Sequence, residues 1–224
     1  LAAELLCLRQ FAHFARRHRR YLFIFAGIYS RSLLGWRRGR AARFGFCFLQ
    51  LVDDLLDGDR PSAGEPAERV ETLLRDLETG RFGEDELSRL ARAFFAELEG
   101  AGAPGENPRA IAVELCRTML LDRRRVRERR LLSGLELERQ LQRTFSLSVD
   151  ILMIAARAEL RARDCPQLIS LLGWCSTMRD LEEDLARGLV NLPREALDGG
   201  IAAVLAWLEL ARERARCDLE RAEE

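Results

Sequence analysis

Apolar residues recur at intervals of three and four through nearly every stretch between the turn-forming clusters of this chain. The clusters, rich in Gly, Pro, Ser and Asp, lie at 58–66, 100–108, 133–134, 164–166 and 198–200. Good helix formers fill the intervening sequence, and helices are predicted over 2–29, 38–57, 67–79, 84–99, 108–132, 135–163, 166–187 and 200–222. Because no segment reads as a run of strands, we expect an all-α fold: one antiparallel helical bundle over residues 1–224.

The amino-acid composition excludes several classes of function. The 36 basic residues, all of them Arg, balance 36 acidic residues, so the chain lacks the overall positive field of a nucleic-acid binder. We therefore expect no nucleic-acid partner. Because the sequence contains no Lys, mechanisms that need a lysine Schiff base, a phosphate-loop lysine or a lysine general base are excluded.

The six cysteines are scattered and form no CxxC pair, which argues against a zinc site and against a disulfide framework. Reduced cysteines are typical of the cytoplasm, and we expect a cytoplasmic protein. No apolar run approaches the roughly 20 residues that a membrane-spanning helix needs. The first residues also lack the pattern of a signal peptide.

Two predicted helices are apolar nearly all round and then end in carboxylates. The first is residues 44–52, followed by Asp53, Asp54, Asp57 and Asp59, and the second is residues 166–178, followed by Asp180, Glu182, Glu183 and Asp184. A helix without a polar face is expected in the middle of a bundle. Both acidic ends are therefore predicted to lie near the interior, although solvated surface remains the alternative for either end alone.

Within each acidic end, two Asp residues are four positions apart and project from one helix face: Asp53 with Asp57, and Asp180 with Asp184. Like charges at this spacing repel, and two such pairs facing each other would be strongly unfavourable unless cations lay between them. Oxygen ligands suit Mg²⁺, which completes its coordination with water and substrate phosphate. We therefore predict a magnesium-bridged diphosphate between the two pairs.

Residues one or two turns earlier on the same faces would line the space beneath the metals. They are Phe46, Leu49 and Gln50 on the first helix, and Gly173, Ser176 and Thr177 on the second. An apolar wall containing Phe46 and Leu49 suits a long hydrocarbon better than a sugar or a nucleotide. Plain core packing of these two residues is the alternative that spacing alone leaves open.

Three segments carry a family resemblance: FGFCFLQLVDDLLDGD at 44–59, ELCRTMLLD at 114–122 and LGWCSTMRDLEEDLARGLVNLP at 172–193. Together they resemble the squalene and phytoene synthases, within the trans-isoprenyl diphosphate synthase fold. The resemblance implies a helical bundle of the class I isoprenoid synthase type with a central cavity. It also implies Mg²⁺ on both aspartate motifs and head-to-head condensation of two farnesyl or geranylgeranyl diphosphates.

The resemblance assigns roles residue by residue. It implies catalytic roles for Asp53, Asp57, Asp180 and Asp184, with Asp54 joining these four as metal ligands. The resemblance implies substrate binding by Arg37, Arg38, Asp122, Arg179 and Arg187. Helix spacing, and not the resemblance, adds Phe46, Leu49, Gln50, Ser176 and Thr177 as expected substrate contacts. Relative to that family, the sequence is expected to be short after Pro193.

The sequence departs from the family pattern at Gln140, Leu189 and Asn191, and Ser176 replaces a family Asn. These differences bear on the second half of the family reaction, so a terpene cyclase acting on one prenyl diphosphate is an alternative, as is a non-catalytic helical relative. The sequence gives no support for NADPH and leaves substrate chain length and oligomeric state open.

An arginine-rich run follows the middle segment and contains Arg123, Arg124, Arg125, Arg127, Arg129 and Arg130. It is typical of a solvated helix end. A peripheral contact with an anionic membrane surface is the alternative, because the expected substrates are greasy.

Overall fold

The computed structural model describes residues 2–17, 27, 36–62 and 64–223. In these ranges the chain forms nine α-helices and no strand, which confirms the all-α prediction. The helices are α1 (Ala2–Arg17), α2 (Trp36–Leu56), α3 (Pro66–Thr79), α4 (Glu86–Glu99), α5 (Pro108–Glu128), α6 (Gly134–Ala155), α7 (Pro166–Arg187), α8 (Arg194–Asp198) and α9 (Gly200–Glu223). A short 3₁₀ turn at Ala162–Asp164 precedes α7. None of the helices in these ranges is both long and apolar enough to cross a membrane.

The predicted bounds of α2, α3, α4, α7 and α9 agree with the structure to within two residues at each end. Apart from residue 27, the predicted continuation of the first helix over 18–29 lies outside the described residues. The short helix α8 was not predicted, because its five residues are too few to show a period.

Two predicted helices were too long. The helix predicted over 108–132 ends at Glu128, and the one predicted over 135–163 ends at Ala155. Each stop is followed by an arginine with a left-handed backbone, Arg129 at φ 51° and Arg157 at φ 54°. Helices commonly stop at a left-handed residue, but that residue is usually Gly, so residue type does not indicate these two stops.

Packing divides the chain into two compact units, the first comprising residues 1–119 and 151–159 and the second comprising residues 120–150 and 160–224. One domain over 1–224 stays a prediction. In the first unit α2 packs on α1, α3 and α4, and α1 also packs on α4. In the second unit α9 packs on α7 and α8.

The core of the first unit forms around α2, whose residues 44–52 are largely buried, as predicted. The same prediction was wrong for residues 166–178 of α7, where only Ile169, Gly173 and Thr177 are buried. The rings of Phe48, Phe94 and Phe95 contact one another at centroid distances of 5.1–5.9 Å. At the edge of this core, buried Arg43 donates to Oε1 of Glu4 on α1 at 2.8 Å. A buried guanidinium needs such a partner, because an unpaired charge in the interior is costly.

Gly45 allows α2 and α4 to approach closely. A Cβ atom at this position would lie 2.7 Å from Cε2 of Phe94, and the Phe94 ring is fully buried in the aromatic core. Gly173 in α7 differs, since a Cβ there would lie 3.4 Å from Cδ2 of Phe145, an ordinary contact distance.

We therefore expect Gly45→Ala and Gly173→Ala to change stability in opposite directions. Gly45→Ala should destabilise by about 1–3 kcal/mol, because Phe94 cannot move aside in a packed core. Gly173→Ala should stabilise by roughly 0.5–1 kcal/mol, because Ala loses less conformational entropy than Gly within a helix. Denaturant unfolding of the two variants measures both changes, and a stabilising Gly45→Ala would contradict the packing described.

Candidate functional site

The first carboxylate cluster is Asp53, Asp54 and Asp57, at the end of α2. Asp54 is buried, with 2% of its surface exposed, whereas Asp53 is half-buried and Asp57 exposed. Nε2 of Gln50, one turn earlier, donates to Oδ2 of Asp53 at 3.3 Å and to Oδ1 of Asp54 at 3.1 Å. A single amide group therefore brings the Asp53 and Asp54 carboxylates together.

Polar residues from other elements of the first unit surround this cluster. Nε2 of His13 on α1 lies 4.0 Å from Oδ2 of Asp54. In the loop after α2, the backbone N–H of Arg60 donates to the carbonyl of Asp54 at 3.1 Å, and its guanidinium donates to Glu86 at 3.2 Å. Glu86 also accepts from Nε2 of Gln10 at 2.8 Å. Sequence reasoning missed these residues, since they lie on three separate elements and share no motif.

The residues predicted to line the wall beneath the first cluster lie on α2. The ring of Phe46 stacks on Phe11 at 5.5 Å and meets Phe14 edge-on at 5.6 Å, so α1 covers part of it. Leu49 is half-buried. The side chains of Arg37 and Arg38, which were predicted to bind substrate, lie outside the described residues.

The second carboxylate cluster is Asp180 and Asp184, both half-buried near the end of α7. Arg179 pairs with Asp180 through both carboxylate oxygens, and its Nη2 also donates to Oγ of Ser176 at 3.1 Å. Oδ2 of Asp184 accepts from Nδ2 of Asn191 at 2.9 Å. Thus each aspartate in this cluster has an identified donor.

Two further residues predicted to bind substrate lie on α7. Thr177 is buried one turn before Asp180. Arg187 donates to Oε1 of Glu183 at 2.7 Å, an exposed pair four residues apart. The helix ends directly after Arg187, because Gly188 adopts φ 83° and the N–H of Leu189 donates to the carbonyl of Asp184 at 2.8 Å.

Asp184 belongs to a larger set of hydrogen bonds within the second unit, which we call the Arg125 network: Gln140, Asp122, Arg125, Asn191 and Asp184. Gln140 donates to Oδ1 of Asp122, and Nη1 of Arg125 donates to the same oxygen at 2.7 Å. Nη1 also approaches Oδ1 of Asn191 at 3.3 Å, and the Asn191 amide in turn donates to Asp184. The predicted substrate-binding residue Asp122 is thereby joined to the predicted metal ligand Asp184.

Arg125 corrects one prediction for the arginine-rich run. That run was expected to be a solvated helix end, yet Arg125 is only 6% exposed. Its neighbours agree better with the prediction, since Arg124, Arg127, Arg129 and Arg130 are exposed. Because every basic residue of the run is Arg, residue type alone does not indicate which side chain is buried.

Burial raises the pKa of the Asp122 carboxyl above its ordinary value, although Arg125 and Gln140 act to lower it. Asp85, the N-cap of α4, behaves in the opposite way. Partial burial acts to raise its pKa, but hydrogen bonds from Ser88 and Arg69 outweigh burial, and the pKa of Asp85 is lowered.

These two shifts predict opposite pH dependences of stability. A raised pKa means that the folded chain holds the Asp122 proton more tightly than the unfolded chain, so this contribution falls as pH rises from the unfolded to the folded pKa. The Asp85 contribution is present above the unfolded pKa and is lost as pH falls through the folded pKa.

The interval from about pH 3 to about pH 7 spans the ordinary pKa of Asp. As pH rises across it, the Asp122→Asn variant should therefore become more stable relative to the unsubstituted chain. Asp85→Asn should lose stability relative to it over the same interval. Urea unfolding at both pH values measures the difference, and equal slopes for the two variants would contradict these assignments.

Each carboxylate cluster lies within its own unit, with Asp53, Asp54 and Asp57 in the first, and Asp180 and Asp184 in the second. That the two clusters face each other stays a prediction. A separate groove of about 370 Å³ runs along α3 and the start of α4 in the first unit, and none of the predicted site residues lines it.

No model of a known protein family, no curated protein and no solved structure gives a significant match to this chain. Within the described ranges, no three or more His, Cys, Asp or Glu side chains form a group that could hold a metal ion. The family resemblance and the predicted metal ligands therefore stay predictions. The hydrogen-bond donors identified for these carboxylates are Gln50, for Asp53 and Asp54, and Asn191, for Asp184.

Proposed function

We propose that this chain is a magnesium-dependent synthase of the squalene and phytoene type, which ionises prenyl diphosphates and condenses two of them head to head. In this proposal residues 1–224 form one helical domain of the class I isoprenoid synthase type with a central cavity. Asp53 and Asp54 on α2, with Asp57 directly after it, would hold Mg²⁺ together with Asp180 and Asp184 on α7. Farnesyl and geranylgeranyl diphosphate are the candidate substrates.

One observation carries the proposal: two helices each end in carboxylates whose oxygens are oriented by a neighbouring amide. Gln50 donates to Asp53 and Asp54, and Asn191 donates to Asp184. Carboxylate oxygens with fixed orientation are the donors that Mg²⁺ prefers, and supporting hydrogen bonds are typical of metal-ligating carboxylates. The donor set thus fits the proposed ion in its chemistry.

The reaction needs no covalent nucleophile. When bound, Mg²⁺ would neutralise charge on the departing diphosphate. The C–O bond of the substrate breaks with its electron pair on the diphosphate oxygen, which leaves an allylic cation. An alkene of the second prenyl chain then attacks that cation, and a proton is lost.

The residues of the chain have two tasks in this chemistry. Arg179 and Arg187, at the end of α7, would add positive charge at the diphosphate. Apolar residues such as Phe46 and Leu49 would keep water away from the cation, since water would quench it.

Pyrophosphate release tests the proposal first. Purified protein should release pyrophosphate from farnesyl or geranylgeranyl diphosphate when Mg²⁺ is present, and chelation by EDTA should stop the release. No release from either chain length would end the enzyme proposal and favour a non-catalytic helical relative.

Variants of the clusters test which residues act. Asp53→Asn and Asp180→Asn should each slow pyrophosphate release by at least about 100-fold, equivalent to about 2.7 kcal/mol in the barrier, because each removes a charged metal ligand. Asp218→Asn on α9 is the matched control and should keep the unsubstituted rate. Unchanged rates in both cluster variants would remove the aspartates from the reaction.

A terpene cyclase acting on a single prenyl diphosphate is the second candidate. The observation that favours it is the place of Gln140 and Asn191, two departures from the family pattern, in the Arg125 network. Mass analysis of the organic extract, with and without NADPH, separates the two candidates. A hydrocarbon with the carbon count of one substrate molecule would reject condensation in favour of cyclisation.

A further inference from the structure

We propose that Arg125 is a positioning residue that fixes the carboxylate of Asp184 through Asn191. The functional part of this inference rests on the proposed function, in which Asp184 is a metal ligand. Arg125 contacts Asp122 and Asn191 but does not itself bond to Asp184. It would therefore act through another residue and not on the reacting atoms.

Burial is the first support for this role. Arg125 is 6% exposed and Asn191 is 8% exposed, so both side chains have largely lost their contacts with water. A buried guanidinium is stable only where carboxylate and carbonyl oxygens replace the lost water. The two terminal nitrogens of Arg125 meet that need with Oδ1 of Asp122, Oδ1 of Asn191 and the carbonyl of Val190, whereas its Nε is buried without a hydrogen-bond partner among the described residues.

The direction of the hydrogen bonds is the second support. The Asn191 amide has one acceptor oxygen and one donor nitrogen, and the two ends are used differently. Its oxygen accepts from Arg125, which leaves its nitrogen aimed at Asp184. Removing the Arg125 guanidinium would let the amide rotate, and Asp184 would lose a donor of fixed orientation.

The backbone around Asn191 is the third support. Nη2 of Arg125 donates to the carbonyl of Val190 at 2.8 Å, and the N–H of Arg194 donates to the carbonyl of Leu132 at 2.8 Å. These two bonds hold the segment after α7 on both sides of Asn191. A short, anchored segment gives the Asn191 side chain a defined position from which to reach α7.

Gln140 completes the network at its other end. It donates to the Asp122 oxygen that also accepts from Arg125, so two donors from α5 and α6 share one carboxylate. The forked guanidinium, with Nη1 bonded to Asp122 and Asn191 and Nη2 bonded to the carbonyl of Val190, allows one side chain to bind both Asp122 and the segment at 190–191. Lys would keep the charge but would lose the fork.

The experiment uses the full chain and two readouts. Side-chain amide NMR signals of Asn191, assigned by their loss in Asn191→Ala, report whether the amide is held. Calorimetric titration of Mg²⁺ in the presence of a non-hydrolysable farnesyl diphosphate analogue reports whether Asp184 is oriented for binding. The variants are Arg125→Met, Arg125→Lys and Asn191→Ala, with Arg127→Met as the control, because Arg127 is an exposed arginine on the same helix.

Arg125→Met should shift the Asn191 amide signals and speed their exchange with water, whereas Arg127→Met should leave them unchanged. Arg125→Met and Asn191→Ala should each weaken Mg²⁺ binding by about 10–100-fold, as is typical of residues that orient metal ligands. Arg125→Lys should recover only part of the loss. If Arg125→Met does not fold, Asn191→Ala still removes the link to Asp184 and leaves the Asp122 pair intact.

The two readouts fail in different ways. Unchanged Asn191 signals in Arg125→Met would overturn the positioning role. Unchanged Mg²⁺ affinity in a folded Asn191→Ala variant would overturn it as well. An unsubstituted chain that binds no Mg²⁺ with the analogue would instead reject the proposed function, and the amide signals would still decide whether Arg125 fixes Asn191.

Discussion

Repulsion between neighbouring carboxylates is the constraint on which the ends of α2 and α7 depend. The last turn of α2 is largely buried, where charges are poorly screened, whereas in the last turn of α7 Asp184 is half-buried and residues 185–187 are exposed. Nearby hydrogen-bond donors offset this repulsion: Gln50 bonds to both Asp53 and Asp54, Arg179 pairs with Asp180, and Asn191 bonds to Asp184. Each acidic end is therefore oriented by the protein itself before any ligand is considered.

Further polar contacts link the acidic ends to the rest of each unit. In the first unit, His13, Arg60 and Glu86 come from three elements around α2, so the position of Asp54 depends on how α1 and α4 pack. In the second unit, Arg125 connects α5 to the segment after α7. Packing and site geometry are thus coupled, and a change such as Gly45→Ala acts on both through the approach of α2 and α4.

Features that depend on residues close together in the sequence could be predicted, and features that depend on distant residues could not. Helix period and turn residues are local, which is why the bounds of α2 and α7 were predicted well. The stops after α5 and α6 depend on Arg129 and Arg157 in left-handed conformations, which their residue type does not indicate. The inward turn of Arg125 depends on partners at 190 and 191, more than sixty positions away, and no local pattern contains that information.

A double-mutant cycle on ligand affinity tests the proposal that both carboxylate clusters bind one diphosphate. Binding of a non-hydrolysable farnesyl diphosphate analogue with Mg²⁺ would be measured for the unsubstituted chain, Asp57→Asn, Asp184→Asn and the double variant. If one ligand bridges both clusters, the two losses should be strongly non-additive, because the second substitution acts on a site already broken. Losses that add in free energy would show that the clusters act independently and would rule out one ligand bridging them.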